Sequence, residues 1–170
     1  MHKGLSEPHI LLASSNPNKL IRNLAGVLTS KQLSKIQKEI DKNVLGLYLL
    51  GRSHYRFACT VPSPDWRQRV SRLYYAAYNV KRALQLRDSG DFATDVSDHK
   101  KIDELPNAMQ NVALYKSKLK NMRDDRNLAD YSHLATESDL LIPVEEMHLI
   151  VTNFLADAGA WLDSMNVKIL

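Results

Sequence analysis

Apolar side chains recur every three or four residues along four long stretches of this chain, and this spacing constrains its fold more than any other feature. Over residues 31–50 the apolar positions are Leu33, Ile36, Ile40, Val44 and Leu47, with lysine and glutamine between them. A spacing of this kind places one apolar stripe along an α-helix. Because four such helices must bury their stripes against one another, we expect an all-α, antiparallel bundle of four to five helices.

The ends of the other helices are predicted from capping residues and prolines. Ser30 serves as the predicted N-cap of the first long helix. Ser63-Pro64-Asp65 opens the second, which reaches about Arg87, and Leu105-Pro106 opens the third, which reaches about Asp125. Ser138 or Pro143 begins the last helix, whose apolar face extends to Leu162.

The remaining segments are predicted to be connections. Gly51 to Pro62 is a predicted connector, and the polar stretch from Asp88 to Glu104 a mobile loop. Residues 1–28 contain Pro8, Pro17 and a Ser-Ser-Asn-Pro-Asn cluster, so they are predicted to form an arm with one short helix from Lys19 to Leu28. We therefore divide the chain into an arm, residues 1–29, and a helical domain, residues 30–170.

Size and composition place the chain among ordinary globular proteins. Its 170 residues, 44% of them apolar and 25% charged, suit one domain with a substantial core. The longest apolar run, Val44 to Leu50, is far short of the roughly 20 residues that a membrane-spanning helix needs. The N-terminus has no long apolar core like that of a signal peptide, and Cys59 is the single cysteine. We expect a soluble, cytoplasmic protein without membrane contact.

No cofactor is predicted. The chain has no glycine-rich phosphate loop, and His54 and Cys59 have no partners at zinc-binding spacing. Glu145 and His148 form one Glu-x-x-His pair, whereas di-iron bundles use two such pairs.

Charge is divided unevenly along the chain. Residues 1–87 contain seven lysines and eight arginines against four acidic residues, a balance of +11, and residues 88–170 have a balance of −7. One interpretation is that the two halves pack together and partly neutralise each other. The other is a basic surface for a polyanion such as RNA.

One segment contains the residue types of a metal-free ribonuclease. In Arg126-Asn127-Leu128-Ala129-Asp130-Tyr131-Ser132-His133, an arginine and a polar residue precede a histidine. The guanidinium can hold a phosphate in a fixed fork, and the imidazole can transfer protons near neutral pH. The alternative is structural: Arg126 pairs with a nearby carboxylate (Asp124, Asp130 or Glu137), and His133 is a solvated residue.

An upstream segment, residues 72–84, reads Arg-Leu-Tyr-Tyr-Ala-Ala-Tyr-Asn-Val-Lys-Arg-Ala-Leu. Together with the Arg126 segment it resembles the HEPN family (higher eukaryotes and prokaryotes nucleotide-binding) over roughly residues 63–165. The resemblance implies a catalytic centre of Arg126 and His133 near a homodimer interface, supported by Asn127. It also implies that Asn79 contributes a polar group from the helix behind the motif. In one toxin subgroup a tyrosine follows the histidine and is modified by a nucleotidyltransferase antitoxin. Here Tyr131 precedes His133, and Ala135 stands where that tyrosine would be.

Two further groups have open interpretations. Tyr74, Tyr75 and Tyr78 could stack on nucleobases or could be core and interface aromatics. The segment from Asp98 to Lys101 could contact phosphate or be a solvated loop. We take Tyr78, Tyr131 and Asn79 as supporting or RNA-binding residues.

The function that follows from the resemblance is a metal-independent endoribonuclease, a toxin or defence effector. It would act through attack by the ribose 2′-hydroxyl and be controlled by an antitoxin or regulatory protein. The alternatives are a non-catalytic HEPN module that binds nucleotide, RNA or a partner protein, and a plain helical scaffold.

Overall fold

A computed structural model describes residues 16–91 and 96–169, and within these ranges every regular element is helical. The five α-helices are α1 (Pro17–Leu24), α2 (Ser30–Thr60), α3 (Trp66–Asp88), α4 (Val112–Tyr131) and α5 (Val144–Ser164). Two short 3₁₀ helices, Val96–Lys101 and Glu137–Asp139, lie in the connections. The predicted all-α bundle is therefore confirmed for the described part of the chain.

The central helix of the bundle is α3. It packs on α2, α4 and α5, and thirteen of its 23 residues are buried. The pair α2–α3 forms an antiparallel hairpin, since Gly51 of α2 lies against Ala76 and Val80 while His54, further along α2, contacts Arg72. The tyrosines of residues 72–84 thus lie in the middle of the molecule.

The predicted connector from Gly51 to Pro62 is wrong, because α2 continues without a break to Thr60. A Cβ atom on Gly51 would lie 2.7 Å from the backbone oxygen of Ala76 and 2.6 Å from Val80 Cγ2. Glycine is needed here because the two helices approach closely, and the sequence pattern alone resembles that of a helix terminus.

Several helix ends differ from those predicted. Thr29 rather than Ser30 caps α2, through a capping box in which its hydroxyl accepts from the Gln32 amide. Helix α3 begins at Trp66, because residues 62–65 form a turn closed by the Asp65 amide donating to the Pro62 carbonyl. Helix α1 spans Pro17–Leu24 instead of ending at Leu28.

The third long helix is displaced toward the C-terminus relative to the prediction. Residues 106–111 form turns, and Asn111 adopts a left-handed backbone conformation (φ 55°) before α4 begins at Val112. At its other end α4 passes Asp125 and reaches Tyr131, so Arg126, Asn127 and Tyr131 all belong to its last turns. The last helix begins at Val144, directly after Pro143, one of the two predicted starts.

Part of the predicted mobile loop is packed on the bundle. Ile102 is completely buried, Gln85 donates to the Glu104 carboxylate, and Lys120 pairs with Asp103 at 2.8 Å. Residues 92–95, and residues 1–15 of the predicted arm, lie outside the described residues. Asn16 donates to the Ser89 carbonyl at 2.6 Å, which ties the start of α1 to the end of α3.

Candidate functional site

A cavity of about 630 Å³ opens between the end of α4, the middle of α3 and the 3₁₀ helix of residues 96–101. We call it the Arg126 cavity. Three residues of the predicted site are among those that line it. The lining residues are Tyr74, His99, Lys100, Arg123, Asp124, Arg126, Asn127 and Tyr131.

The guanidinium of Arg126 is fixed by contacts on several sides. Its Nη2 donates to the Tyr75 hydroxyl at 2.7 Å, and its Nη1 to Asn127 Oδ1 at 3.1 Å and the Tyr131 hydroxyl at 3.4 Å. Nε lies 2.7 Å from Asp130 Oδ2, an ion-pair distance without hydrogen-bond alignment. The structural interpretation of the sequence expected Arg126 to pair with a nearby carboxylate. That pair, with Asp130, is thus part of the site.

The surroundings of Arg126 keep it charged. Burial disfavours the cation, but the neighbouring Tyr75, Asp130 and Tyr131 together raise the pKa of the guanidinium above its ordinary value. Its central carbon also lies 5.3 Å from the ring centroids of both Tyr75 and Tyr131. A permanent cation is therefore held between two aromatic rings, with part of its surface in the cavity.

The cavity has an excess of positive charge. Arg123, Arg126 and Lys100 are cations, and Asp124 is the one carboxylate among the lining residues. Arg123 donates to Asp124 Oδ1 from both Nε and Nη2, at 3.0 and 2.8 Å. An anion that enters would meet Lys100 and Arg126 without displacing that pair.

His99 is the histidine that lines the cavity. Its Nδ1 is 2.7 Å from the Tyr74 hydroxyl, and its ring stacks on Tyr78 with a centroid distance of 4.1 Å. Of the predicted segment from Asp98 to Lys101, His99 and Lys100 reach the cavity, and the side chain of Asp98 lies outside those described. This segment is a cavity wall rather than a fully solvated loop.

His133 lies elsewhere in this chain. It is exposed in the turn that follows α4, and it is not among the residues that line the Arg126 cavity. The turn is held by Arg67, whose Nη1 and Nη2 donate to the carbonyls of Ala129 and Ala135, both at 2.6 Å. The structure thus brings Arg126, Asn127 and Tyr131 together and leaves His133 outside the cavity of the same chain.

The supporting residues on α3 take different places. Asn79 is buried, and its amide donates to the Tyr75 carbonyl one turn earlier in the same helix. Tyr74 and Tyr78 are buried core aromatics; Tyr74 also lines the cavity, and Tyr78 stacks on His99. The interpretation as core aromatics therefore holds for Tyr74 and Tyr78, while the Tyr75 hydroxyl accepts a hydrogen bond from Arg126.

Sequence reasoning missed Arg67, Arg123 and Asp125 as residues that shape the site, and it considered Tyr75 only as a stacking or core aromatic. Asp125 is buried next to Arg126 in α4, and its two carboxylate oxygens accept from the amides of Leu141 and Ile142 at 2.7 and 3.0 Å. Burial raises its pKa, although these two hydrogen bonds act in the opposite direction. A carboxylate on the apolar side of α4 was the available signal.

Residues considered for a metal site are engaged in other contacts. Glu145 pairs with Arg69 and Glu146 with Lys118, each at 2.7 Å, and His148 Nε2 lies 3.3 Å from Cys59 Sγ. In the part of the chain that the structure describes, no group of three or more His, Cys, Asp or Glu side chains could hold a metal ion.

Within residues 16–91 and 96–169, no helix has the length and apolar content needed to cross a membrane.

The fold and site define an all-α helical bundle with a basic, tyrosine-rich cavity at the end of one helix. Comparison with family models, with curated proteins and with solved structures finds no match for this chain.

Proposed function

We propose that this protein binds RNA at the Arg126 cavity and cleaves it as a metal-independent endoribonuclease of the toxin or defence type. The observation that carries the proposal is the Arg126 guanidinium, fixed by Tyr75 and Asn127 in a cavity with further cations and an imidazole. A fixed, permanently charged fork is the group best suited to a phosphodiester.

The proposed chemistry is transesterification within the RNA strand. The ribose 2′-oxygen attacks the adjacent phosphorus, the bond from phosphorus to the 5′-oxygen breaks, and the products are a 2′,3′-cyclic phosphate and a 5′-hydroxyl. Arg126 stabilises the charge that develops on the phosphorane oxygens. We propose that His133, which is exposed in the turn after α4, enters the cavity of a second copy in a homodimer and acts there as a proton-transfer group.

The test is cleavage of total RNA and transfer RNA by the purified protein in EDTA, with identification of cyclic phosphate ends. We expect Arg126→Lys, which keeps the charge but removes the fork, to lower the rate about 100-fold or more. His133→Gln should lower it by a similar factor. Arg56→Lys and His148→Gln are the matched controls, since both residues lie outside the Arg126 cavity.

A homodimer that completes the site makes a separate prediction. Mixing the slow Arg126→Lys and His133→Gln proteins should restore part of the activity, because one of the two cavities of a mixed dimer then has both groups. Sedimentation velocity establishes the dimer independently. Absence of cleavage by the wild-type protein in EDTA would contradict the ribonuclease.

A second function, a non-catalytic module that binds nucleotide or RNA, is favoured by the separation of His133 from the cavity and by the Arg126–Asp130 pair. In that case RNA binds, no product forms, and Arg126→Lys weakens binding while His133→Gln leaves it unchanged.

A further inference from the structure

The 3₁₀ helix of residues 96–101 places the imidazole of His99 in the wall of the Arg126 cavity. This residue is separate from the Arg126–His133 pair of the proposed function. A role for His99 rests on that proposed function and concerns the group that removes the proton from the attacking hydroxyl.

Two consecutive tyrosines of α3 orient the two groups that meet in the cavity. The Tyr75 hydroxyl accepts from Arg126 Nη2, and the Tyr74 hydroxyl is hydrogen-bonded to His99 Nδ1, each at 2.7 Å. The two tyrosine rings contact each other edge to face, with centroids 5.6 Å apart. Guanidinium and imidazole are therefore held by one rigid helix, in a fixed relation to each other.

The His99 ring is fixed in its plane as well as at Nδ1. It stacks on Tyr78 with an angle of 18° between the rings, and Tyr78 is itself buried against the bundle core. A ring held by a stacking partner and a hydrogen bond keeps one orientation, as proton transfer to a bound substrate requires.

Tyr74 can hydrogen-bond to the tautomer of His99 that a general base requires. Burial raises the pKa of the Tyr74 phenol, so the hydroxyl stays neutral in the physiological range. A neutral hydroxyl can donate or accept, and in the tautomer in which it accepts from Nδ1–H, Nε2 is the nitrogen that exchanges protons.

We propose that His99 is a catalytic residue, the general base of this site. Its Nε2 accepts the proton of the ribose 2′-hydroxyl as the bond from the 2′-oxygen to phosphorus forms. As the bond from phosphorus to the 5′-oxygen breaks, protonated His133 from the second copy donates a proton to that oxygen. Afterwards His99 releases its proton to water and His133 takes one from water, so no net proton is consumed.

Tyr74 has the role of a positioning residue. Tyr74→Phe removes the hydroxyl that holds Nδ1 but keeps the buried ring. It should lower kcat about tenfold while the dissociation constant for RNA stays within threefold of the wild type. Tyr55→Phe removes a hydroxyl that is hydrogen-bonded to Thr152, outside the Arg126 cavity, and should leave kcat within threefold.

The experiment compares His99→Gln with the wild-type protein on two RNA substrates in EDTA. Glutamine can still hydrogen-bond to Tyr74 but cannot transfer a proton. One substrate is ordinary RNA, and the other has sulfur in place of the leaving 5′-oxygen, which departs without protonation. Circular dichroism and RNA binding establish that each variant is folded. Imidazole added to His99→Ala tests chemical rescue.

On ordinary RNA we expect His99→Gln to lower kcat about 100-fold with little change in RNA affinity, and imidazole to restore part of the rate to His99→Ala. On the sulfur substrate His133→Gln should recover the wild-type rate, whereas His99→Gln should stay slow. Wild-type kcat in His99→Gln, or a loss in RNA affinity alone, overturns the assignment while the ribonuclease stands. Recovery of His99→Gln on the sulfur substrate overturns its role as the base. No cleavage by the wild-type protein overturns the ribonuclease and the base together.

Discussion

Two tyrosine hydroxyls contact the Arg126 guanidinium at different distances, 2.7 Å for Tyr75 and 3.4 Å for Tyr131. Tyr75 is half-buried, whereas the Tyr131 side chain is largely exposed. A short hydrogen bond to a charged group in a partly buried place contributes more to stability than a long one at the surface. The two residues are therefore a natural pair for comparison.

We predict that Tyr75→Phe lowers the free energy of unfolding by about 1–2 kcal/mol, because a partly buried cation loses its shortest hydrogen bond. Tyr131→Phe should change it by less than about 0.5 kcal/mol. Urea denaturation followed by circular dichroism measures both. Equal losses in the two variants would contradict the view that Tyr75 is the main support of Arg126.

The residues of the site that could be predicted are those close to Arg126 in sequence. Asn127 and Tyr131 follow it within five positions of one helix, so their proximity depends only on helical geometry. Tyr75 is 51 positions from Arg126, and His99 is 25 positions from Tyr74. Their contacts depend on how α3, α4 and the loop pack, and no local pattern specifies that packing.

At the level of helices, α2 approaches α3 closely at Gly51. Sequence reasoning found the helical stripe of α2 but ended it at this glycine, because glycine is also the commonest residue at a helix end. Gly46, five residues earlier in the same helix, is exposed, and nothing lies within 4 Å of a Cβ built there. The two positions therefore separate helix propensity from packing.

We predict that Gly51→Ala destabilises the protein by about 1–3 kcal/mol, since the added methyl meets the Ala76 backbone and α2 must move away. Gly46→Ala should stabilise it by about 0.5–1 kcal/mol through helix propensity alone. Thermal unfolding of both variants measures the difference. A stabilised Gly51→Ala protein would contradict the close approach.

The loop between α3 and α4 is anchored by an ion pair between a lysine and an aspartate. Lys120 of α4 donates to Asp103, and this hydrogen bond holds the pKa of the carboxyl below its ordinary value. A carboxyl whose pKa is lower in the folded state stabilises the fold above its unfolded pKa. That stability is lost as the pH falls through the folded pKa.

We therefore predict that Asp103→Asn is less stable than the wild-type protein at pH 6, and that the difference shrinks as the pH falls below about 4. Urea denaturation at a series of pH values measures it. Glu137→Gln is a suitable control, because Glu137 is exposed. A difference that grows toward low pH would contradict the lowered pKa.

On the scale of the whole molecule, the uneven charge of the sequence has a local counterpart in the Arg126 cavity. The cavity is basic although it lies largely in the acidic half of the chain, because Lys100, Arg123 and Arg126 converge there. The basic half supplies α2, which has several exposed lysines such as Lys38. The charge count alone therefore did not indicate where an anion would bind.

If single-stranded RNA binds at the cavity, three phosphate contacts predict a slope of about −2 for the logarithm of affinity against the logarithm of salt concentration. Lys100→Gln should reduce that slope by about 0.7, whereas Lys38→Gln should leave it unchanged. Fluorescence anisotropy with a short RNA measures both. A smaller slope in Lys38→Gln would instead place the RNA along α2.

The fold as a whole was more predictable than its details. Helical periodicity and composition determine an all-α bundle, because apolar stripes of this length have few ways to be buried. The start of α4 was not predictable, since it depends on the left-handed Asn111 and on the packing of residues 102–109, both set by the finished bundle.

The two hydrogen bonds of the Arg67 guanidinium have a consequence for how far the sequence of the turn after α4 can change. The two carbonyls that it binds, those of Ala129 and Ala135, are backbone atoms, and any residue at these positions would supply them. The shape of the turn is thus specified from α3, and the exposed positions His133 and Leu134 can vary without loss of that shape. Selection can therefore adjust the surface chemistry of this corner independently of the fold, and a spectroscopic label attached at Leu134 would report on a bound partner from a backbone that stays in place.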